Sequence, residues 1–515
     1  MGLRSVRILL TAVLVACALP LLAIQPAHAY APGCDAGILS DFNGDGYSDA
    51  VVADPYASLG AFAEVGRLTV LYGDNDGRVG DGARDILVQG DRSVGGNSEA
   101  GDRFGFAMAA ADLNCDNRTD LVVGTPYEDN DDTGQVDSGS VRVIWGAATG
   151  LGTGPVSTAY NQVDFGAVVR AGDQFGYSVD ALEDVVQNGA VAPHRFTLAI
   201  GVPGGDVGSD NDAGWVGTVT PTFSGSDFDL LTQDTTGVPD STEPGDRFGT
   251  SLSLGYLLGD VSIADVAVGS PHEDVGSVFD AGTVTIVRDL DGVSDGAVVY
   301  DQDSAGVPDV VESDDRFGYS LDSMRTGSTS RLAVGVPYED IGSAASAGLV
   351  QLFSGNGNTL TAGVGLTQNT AGVFEESETG DLFGERVAWA RPGLGDTTSW
   401  LAVSAPSEDG IANNTGLVQL FPVTDLAAER NFSQSSPGIP GNAQAGERFG
   451  SSLAVVSGVQ ERALLIGAPD DVENSTGLVD VIPFRGGTPR YWRPGVGGVA
   501  GPNASRFGYS VATSG

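Results

Sequence analysis

Two nine-residue stretches in the first quarter of the chain alternate oxygen-bearing side chains with other residues, which is a pattern typical of calcium loops. The first stretch places carboxylate or amide donors at Asp41, Asn43, Asp45 and Asp49, and the backbone carbonyl of Tyr47 is available between the last two. Hard oxygen donors at alternate positions allow a short loop to surround one Ca²⁺ with about six or seven contacts. The carboxylates would repel one another without a cation, so we predict a calcium site here.

The second stretch repeats this spacing. It places donors at Asp112, Asn114, Asp116 and Asp120, and the carbonyl of Arg118 stands at its seventh position. The corresponding segments further along the chain do not carry the donor set. We therefore predict two calcium sites with a structural role, and the alternative for each loop is a solvated acidic turn.

A repeat with a nearly fixed interval must position these loops. Seven Phe-Gly pairs alternate with seven prolines, and short Val- and Leu-rich segments bounded by Gly, Asp or Pro lie between them, as is typical of strands. Each unit has room for four such strands, which is the content of a propeller blade. The phenylalanines are Phe104, Phe175, Phe248, Phe317, Phe383, Phe449 and Phe507, and the prolines are Pro55, Pro126, Pro203, Pro271, Pro337, Pro406 and Pro469.

The two ends of the chain carry complementary halves of this repeat. The first unit has a proline half without a preceding Phe-Gly strand, and the segment Arg506–Val511 is a Phe-Gly strand without a following partner. Pairing both halves in one sheet would remove two exposed edges. We predict an all-β, seven-bladed propeller of four-stranded blades, in which the C-terminal strand closes the first blade. The alternative is an open array of hairpins, which are marginally stable in isolation.

The Phe-Gly half, the Gly-Thr-Pro or Gly-Ala-Pro half and the Asp-rich loop between them resemble the FG-GAP repeats of the integrin alpha-subunit propeller. Glycosylphosphatidylinositol-specific phospholipases D carry similar repeats. The resemblance covers nearly all of residues 35–515, and it implies that each acidic loop joins the first and second strands of a blade. It also implies that ligands and partner subunits meet the opposite face, where the turns after the prolines are acidic.

The N-terminal segment 1–29 is typical of a signal peptide. It has a basic start at Arg4 and Arg7, an apolar run, and a small-x-small cleavage site at Ala27–Ala29. We predict secretion, with residues 30–515 forming a single propeller domain, and the alternative is lipid anchoring through Cys17. No later run is long and apolar enough to span a bilayer. In an oxidising compartment, Cys34 and Cys115 are expected to form a disulfide, against the alternative of two free thiols.

The net charge of −43 makes nucleic acid an unexpected partner, because such a surface repels phosphate groups. No nucleophile motif is present, and two histidines remain beyond residue 29, His194 and His272. We therefore expect a non-catalytic recognition or adhesion module, most simply a monomer, that binds a protein or glycan ligand on the acidic face. The alternative is an extracellular carbohydrate-active or ester hydrolase with its site on that face.

A row of arginines precedes the Phe-Gly pairs and adjoins the acidic face. Two interpretations stay open: these side chains bind an anion near the propeller axis, or they pair with turn carboxylates and hold the blades together. The arginines are Arg103, Arg247, Arg316, Arg448 and Arg506.

Overall fold

The chain folds into seven four-stranded antiparallel sheets in a computed structural model. The structure describes residues 40–130, 132–183, 196–222, 225–258, 263–290, 296–391, 398–458, 461–471, 476–484, 487–496, 499 and 505–513. The predicted seven blades of four strands are confirmed. Among the described residues, no helix is long and apolar enough to cross a membrane.

The strands follow one another in chain order, blade by blade. Blade 1 contains β1 (Ala50–Asp54), β2 (Arg67–Leu71) and β3 (Arg84–Leu87); blade 2 contains β4 (Ala107–Ala111), β5 (Asp120–Thr125), β6 (Ser140–Ile144) and β7 (Thr158–Tyr160); blade 3 contains β8 (Ser178–Glu183), β9 (Phe196–Val202), β10 (Trp215–Thr222) and β11 (Gly225–Leu231). Blade 4 contains β12 (Ser251–Gly255), β13 (Asp265–Ser270), β14 (Thr283–Val287) and β15 (Ala297–Tyr300); blade 5 contains β16 (Ser320–Thr326), β17 (Thr329–Val336), β18 (Leu349–Gly355) and β19 (Thr361–Leu366). Blade 6 contains β20 (Val387–Ala390), β21 (Trp400–Ala405), β22 (Leu417–Pro422) and β23 (Arg430–Phe432); blade 7 contains β24 (Ser452–Ser457), β25 (Arg462–Ala468), β26 (Leu478–Pro483) and β27 (Arg490–Trp492); β28 (Ser510–Ala512) comes last. A 3-10 turn at Gln162–Phe165 follows β7.

The C-terminal strand closes the ring as predicted. Strand β28 pairs antiparallel with β1, and Val52 lies opposite Val511 in the register. Blade 1 therefore has the order β28-β1-β2-β3, and its innermost strand comes from the other end of the chain. The second strand of a blade is buried from end to end, as in β1, β5 and β13, because neighbouring blades cover both of its faces.

The Phe-Gly pairs form the contacts between blades. All seven phenylalanine side chains have no exposed surface, so each fills the space between its own blade and the preceding one. The N–H of each phenylalanine also donates to a carbonyl of the preceding blade, at 2.8 to 3.2 Å. The accepting residues, in ring order from Phe104 to Phe507, are Val65, Ser138, Ala213, Ala281, Ala347, Thr415 and Thr476.

The glycine of one repeat half faces the glycine of the other across five of these seven contacts, and Ala53 and Ser404 take the place of one glycine in the other two. A Cβ atom on Gly124 in β5 would lie 2.1 Å from the carbonyl oxygen of Gly176, which follows Phe175 in the next blade. Gly176 has a φ of 88°, a conformation that glycine adopts without strain. This close approach of two backbones explains why the Phe-Gly half always carries glycine and why the other half carries glycine or another small residue.

A serine hydroxyl adds a further bond between the inner strands in five of the seven blades. Each hydroxyl donates to the carbonyl of the Phe-Gly glycine in the following blade, at 2.6 to 2.8 Å. The serines are Ser178, Ser251, Ser320, Ser452 and Ser510. Blades 2 and 6 have Ala107 and Arg386 at this position.

Candidate functional site

The first acidic loop is closed by its own backbone. The carboxylate of Asp41 accepts the N–H groups of Gly44, Asp45 and Gly46 at 2.6, 3.2 and 2.8 Å. The side-chain oxygen of Asn43 accepts the N–H of Asp45 at 2.9 Å. The loop therefore curls around the carboxylate of Asp41.

Asp49 ends this loop as a fully buried carboxylate. One of its oxygens accepts the N–H of Phe42 at 2.8 Å, and the other accepts the N–H of Gly73, just after β2, at 2.8 Å. It thus fastens the beginning of the loop to the far end of the hairpin. Burial raises the pKa of Asp49 to about 8, and the nearby carboxylates of Asp41 and Asp45 add to that rise.

The second loop has the same internal geometry. The carboxylate of Asp112 accepts the N–H groups of Asp116 and Asn117 at 3.2 and 2.9 Å, and that of Asp120 accepts those of Leu113 and Gly146 at 3.0 and 2.8 Å. Burial raises the pKa of Asp120 well above its usual range. Asp120 therefore fastens its hairpin in the way that Asp49 fastens the first.

The two loops lie side by side on one face of the ring, which we call the loop face. The N–H of Thr119 donates to the carbonyl of Asp41 at 2.8 Å, and the N–H of Ala147 donates to the carbonyl of Phe42 at 3.1 Å. The Arg118 guanidinium contacts the carboxylate of Asp116 at 3.3 Å. The predicted donors are thus brought together in two adjacent loops of blades 1 and 2.

The donor chemistry of both loops fits a hard cation, because every side-chain donor is an oxygen. In the structure, however, backbone N–H groups occupy part of these oxygens. Across the described ranges, no group of three or more His, Cys, Asp or Glu side chains is arranged to hold a metal ion. Calcium would be held by the carboxylates and amide of each loop together with the Tyr47 or Arg118 carbonyl, and its binding stays a prediction.

Blade 4 retains one residue of this pattern that sequence reasoning missed. Asp265 is fully buried at the start of β13, and its carboxylate accepts the N–H groups of Leu257, Leu258 and Asp289 at 2.7, 2.6 and 3.0 Å. It occupies the position of Asp49 and Asp120, in a segment without the other donors. The signal was an aspartate directly before a second strand, and it shows that this position has a role independent of metal.

Cys115 takes part in a disulfide in the second loop. Cys34, its expected partner, lies outside the described residues, so the pairing of these two cysteines stays a prediction. The same holds for residues 1–29, for Cys17 and for His194, which also lie outside the described residues.

The acidic turns after the prolines lie on the opposite face, which we call the turn face. In four of these turns the first acid is less exposed than the sequence suggests. Glu339 is 2% exposed, and its carboxylate accepts the side-chain amide of Gln302 from the preceding blade at 2.5 Å. Burial raises the pKa of Glu339 to about 9, and the nearby Asp315 and Asp309 carboxylates add to that rise. The same glutamine-to-glutamate bond joins Gln89 to Glu128, Gln233 to Glu273 and Gln368 to Glu408.

The arginines before the Phe-Gly pairs divide into two groups. Arg103, Arg448 and Arg506 pair with Glu64, Glu385 and Asp470 at 2.7, 3.0 and 3.1 Å. Within the part of the chain that the structure describes, Arg247 and Arg316 form no ion pair, and the Arg316 guanidinium lies 4.5 Å from the ring centre of Tyr338. Three members of the row thus hold turns together, and two are free of a carboxylate partner.

These two arginines line a cavity of about 620 Å³ on the propeller axis, at the turn face. We call this cavity the axial funnel. Its wall combines the cationic side chains of Arg247, Arg316 and Arg386 with inner-strand aromatic residues and His272. No Asp or Glu occurs among the described residues that line it. His272 has a lowered pKa, because burial and then the nearby Arg316 charge disfavour its cationic form.

A ring of seven apolar side chains separates the funnel from a second axial cavity of about 380 Å³ near the loop face. This ring takes one residue from each blade: Met108, Val179, Leu252, Leu321, Val387, Leu453 and Val511.

Two aspartates line the second cavity. Asp180 accepts the N–H of Leu254 at 2.7 Å, and Asp322 accepts the N–H of Trp389 at 2.5 Å. Burial raises the pKa of Asp180 to about 6 and that of Asp322 to about 7. Glu183 and Arg391 also line this cavity, so its ionisable groups are of both signs, whereas the described lining of the funnel has no acid.

A family model for the FG-GAP repeat matches residues 104–144, from Phe104 to the end of β6. This one stretch of the chain is thus an FG-GAP repeat. Its seven-bladed fold fits the N-terminal propeller of integrin alpha subunits. The matched repeat contains the second acidic loop and the buried glycine of β5.

The chain is similar to proteins of two kinds. It is 32% identical over 166 residues to integrin alpha pat-2 of Caenorhabditis elegans, which is 29% of this chain and 12% of that one. It is 32% identical over 160 residues to phosphatidylinositol-glycan-specific phospholipase D of Mus musculus, covering 30% of this chain and 18% of that one. The corresponding protein of Dictyostelium discoideum is 23% identical over 316 residues, 58% of this chain and 30% of the relative. The chain thus spans less than a third of the length of these relatives.

Proposed function

We propose that this chain is a secreted, calcium-stabilised FG-GAP propeller that recognises a ligand without catalysis, through the axial funnel of its turn face. The proposal rests on one position of the repeat at which the blades carry different residues. The contacts between blades repeat around the ring, whereas the residue after each Phe-Gly pair varies at the mouth of the funnel. These residues are Phe106, Tyr177, Thr250, Tyr319, Glu385, Ser451 and Tyr509, and all of them except Glu385 and Ser451 line the funnel.

This variation is more than the fold requires. The position follows a glycine in every blade and precedes a serine that bonds to the next blade in five of them, yet it accepts aromatic, hydroxyl and acidic side chains. In five blades the residue at this position lines an open cavity, where its type is less constrained than it is between blades. A concave cavity of 300 to 1,000 Å³ with a few polar groups is typical of a ligand site, and the funnel lies within this range.

Calcium in this proposal is structural. A cation in each loop would balance the carboxylates of blades 1 and 2 and stabilise the folded ring in proportion to its occupancy. Secretion is supported by segment 1–29 and by the disulfide state of Cys115, which is favoured outside the reducing cytosol. The mass of the secreted mature protein would test both the cleavage after Ala29 and the alternative anchor at Cys17.

Capture of ligands from a glycan array and from culture medium tests the recognition role. Thr250→Trp fills the funnel mouth with an indole ring, and Val156→Trp adds the same ring at a residue that is 74% exposed away from the axis. We expect Thr250→Trp to abolish capture and Val156→Trp to retain it. Equal capture by both variants would exclude the funnel as the recognition site.

A hydrolase remains the second candidate because Asp180 and Asp322 break the repeat symmetry inside the channel. Both carboxyl groups have raised pKa values, as an acid catalyst requires. Asp180 and Asp322 lie near the loop face, whereas the sequence predicted a hydrolase site on the acidic turn face. Each accepts backbone N–H groups of the ring, which favours a structural role. Activity towards glycosides or esters that disappears in both Asp180→Asn and Asp322→Asn would favour the hydrolase.

A further inference from the structure

The axial funnel is a cationic cavity in a protein whose net charge is −43. The chain contains 68 acidic residues against 25 basic ones, yet the described funnel lining contains three arginines and no acid. Chance would place acids, not arginines, around an average cavity of this protein. The concentration of positive charge therefore points to a ligand that carries negative charge.

Arg386 is the least expected of the three arginines. It stands at the inner-strand position where five other blades carry the serine that bonds to the next blade, so blade 6 gives up that bond. Its guanidinium donates to the carbonyl of Glu385 at 2.8 Å. The carboxylate of Glu385 is itself paired with Arg448 at 3.0 Å, and its charge also acts on Arg386. Arg386 thus presents a positive charge to the funnel at the expense of a blade contact.

Aromatic rings complete the wall. Phe106 lies 5.2 Å from Tyr177 and 5.3 Å from Tyr509 between ring centres, and Tyr319 lies 6.0 Å from the Arg386 guanidinium. These rings offer flat apolar surfaces, and the tyrosines add hydroxyl groups at their edges. A carboxylate alone would use the arginines and leave these surfaces without contacts. The lining therefore fits an anion attached to a compact body with apolar faces and hydroxyl groups.

The surroundings of the funnel limit the charge of the rest of the ligand. Outside the mouth the turn face is acidic, with Glu243, Asp274 and Asp314 among its accessible carboxylates. A polyanion would be repelled as it crossed this rim, whereas a ligand with one negative group at its end would not. The seven apolar side chains form the inner end of the funnel, so the charged group of the ligand is expected nearer the mouth, beside the arginines.

We propose that the axial funnel binds a uronic acid, with the sugar carboxylate against Arg247, Arg316 and Arg386 and the pyranose ring against the inner-strand aromatic residues. This inference rests on the proposed recognition function and names its ligand class. Guanidinium groups bind carboxylates through paired, charge-assisted hydrogen bonds. The hydroxyl groups of the sugar would meet the tyrosines and His272.

Calorimetric titration of the full mature chain with sodium glucuronate tests this assignment. We expect saturable binding that weakens with added salt, and no comparable binding of glucose, which lacks the carboxylate. Arg247→Gln should weaken binding by roughly 10- to 100-fold, because it removes a charge-assisted hydrogen bond to the ligand. Arg506→Gln is the matched control, since it removes the same charge from the same row but at a residue that pairs with Asp470. It should change the affinity less than about threefold.

Four results would overturn the assignment: no binding of glucuronate, equal binding of glucose, equal losses in the two arginine variants, or tighter binding of a peptide with a free C-terminal carboxylate. These results are distinguishable from failure of the recognition role. If Thr250→Trp abolishes capture from the glycan array but glucuronate does not bind, recognition stands and the uronic acid assignment is wrong. Melting curves of each variant with and without denaturant establish that the substitutions leave the ring folded.

Discussion

The contacts between blades and the axial channel are neighbouring regions of this propeller. Residue types repeat from blade to blade in the first region and vary in the second. Between blades, the same phenylalanine, glycine and carbonyl meet at each junction, and all seven phenylalanines are fully buried. In the channel, positions that share one place in the repeat carry different residues, such as Thr250 and Tyr177. The difference indicates which residues hold the ring together and which are free to serve a ligand.

Two substitutions of the same residue type test this division most strongly. Phe317→Ala should lower the free energy of unfolding by about 3 to 5 kcal/mol, because it leaves a cavity between two blades. Phe279 is 69% exposed on the turn face, so Phe279→Ala should change stability by about 0.5 kcal/mol or less. Denaturant unfolding measures both, and similar losses would contradict the division.

Calcium removal tests whether blades 1 and 2, which carry the acidic loops, depend on a metal ion for their stability. Each occupied site should add about 2.7 kcal/mol at a calcium concentration one hundred times its dissociation constant. EDTA should therefore lower the melting temperature, and Asp45→Ala and Asp116→Ala should each remove one site from a calorimetric titration.

The exposed Asp76 offers a matched control outside both loops, and Asp76→Ala should leave the stoichiometry at two sites. A titration without heat and a melting temperature insensitive to Ca²⁺ would rule out the metal sites.

A substitution of Asp265 tests whether the aspartate that ends the loop stabilises the hairpin by accepting backbone hydrogen bonds, independently of metal binding. Asp265→Ala should cost about 1 to 3 kcal/mol, because three backbone N–H groups lose their acceptor. The loss should be the same with and without calcium. For Asp120→Ala, by contrast, we expect a loss that is larger in calcium than in EDTA, and equal calcium dependence of the two variants would contradict this separation.

Substitution of a buried glutamate of the turn face should give the smallest change in stability. The sign of this change follows from the raised pKa of the glutamate. Glu339 has a pKa of about 9 in the folded chain against 4.5 ordinarily, so folding takes up a proton between these values and stability falls as the pH rises through them. Glu339→Gln removes this dependence, and it should stabilise the chain by about 1 kcal/mol at pH 8 and not at pH 4. The exposed Glu376→Gln is the control, and unfolding curves across this pH range that coincide for the two variants would contradict the prediction.

The sequence is sufficient to predict the architecture, because each blade repeats the same solution to the same packing problem. Phe104 and its six counterparts mark the junctions, and the unpaired halves at the two ends predict closure by β28. The positions of Asp41 and Asp112 in adjacent loops follow from the same periodicity.

Single departures from the repeat could not be interpreted in this way. Arg386 and Asp180 point to the axis only because the ring is closed, so their neighbours come from other blades and are distant in sequence. Asp265 was missed because its loop lacks the other donors. The burial of Glu339 depends on an amide that reaches it from the preceding blade, which no local pattern reveals.

The pairing of β28 with β1 has a consequence for biosynthesis. Blade 1 lacks its innermost strand until residues 510–512 have left the ribosome, and before then the inner edge of β1 is without its hydrogen-bonded neighbour. The ring can therefore be completed only after translation of those residues, and a nascent chain halted upstream would expose an open strand to any other chain nearby.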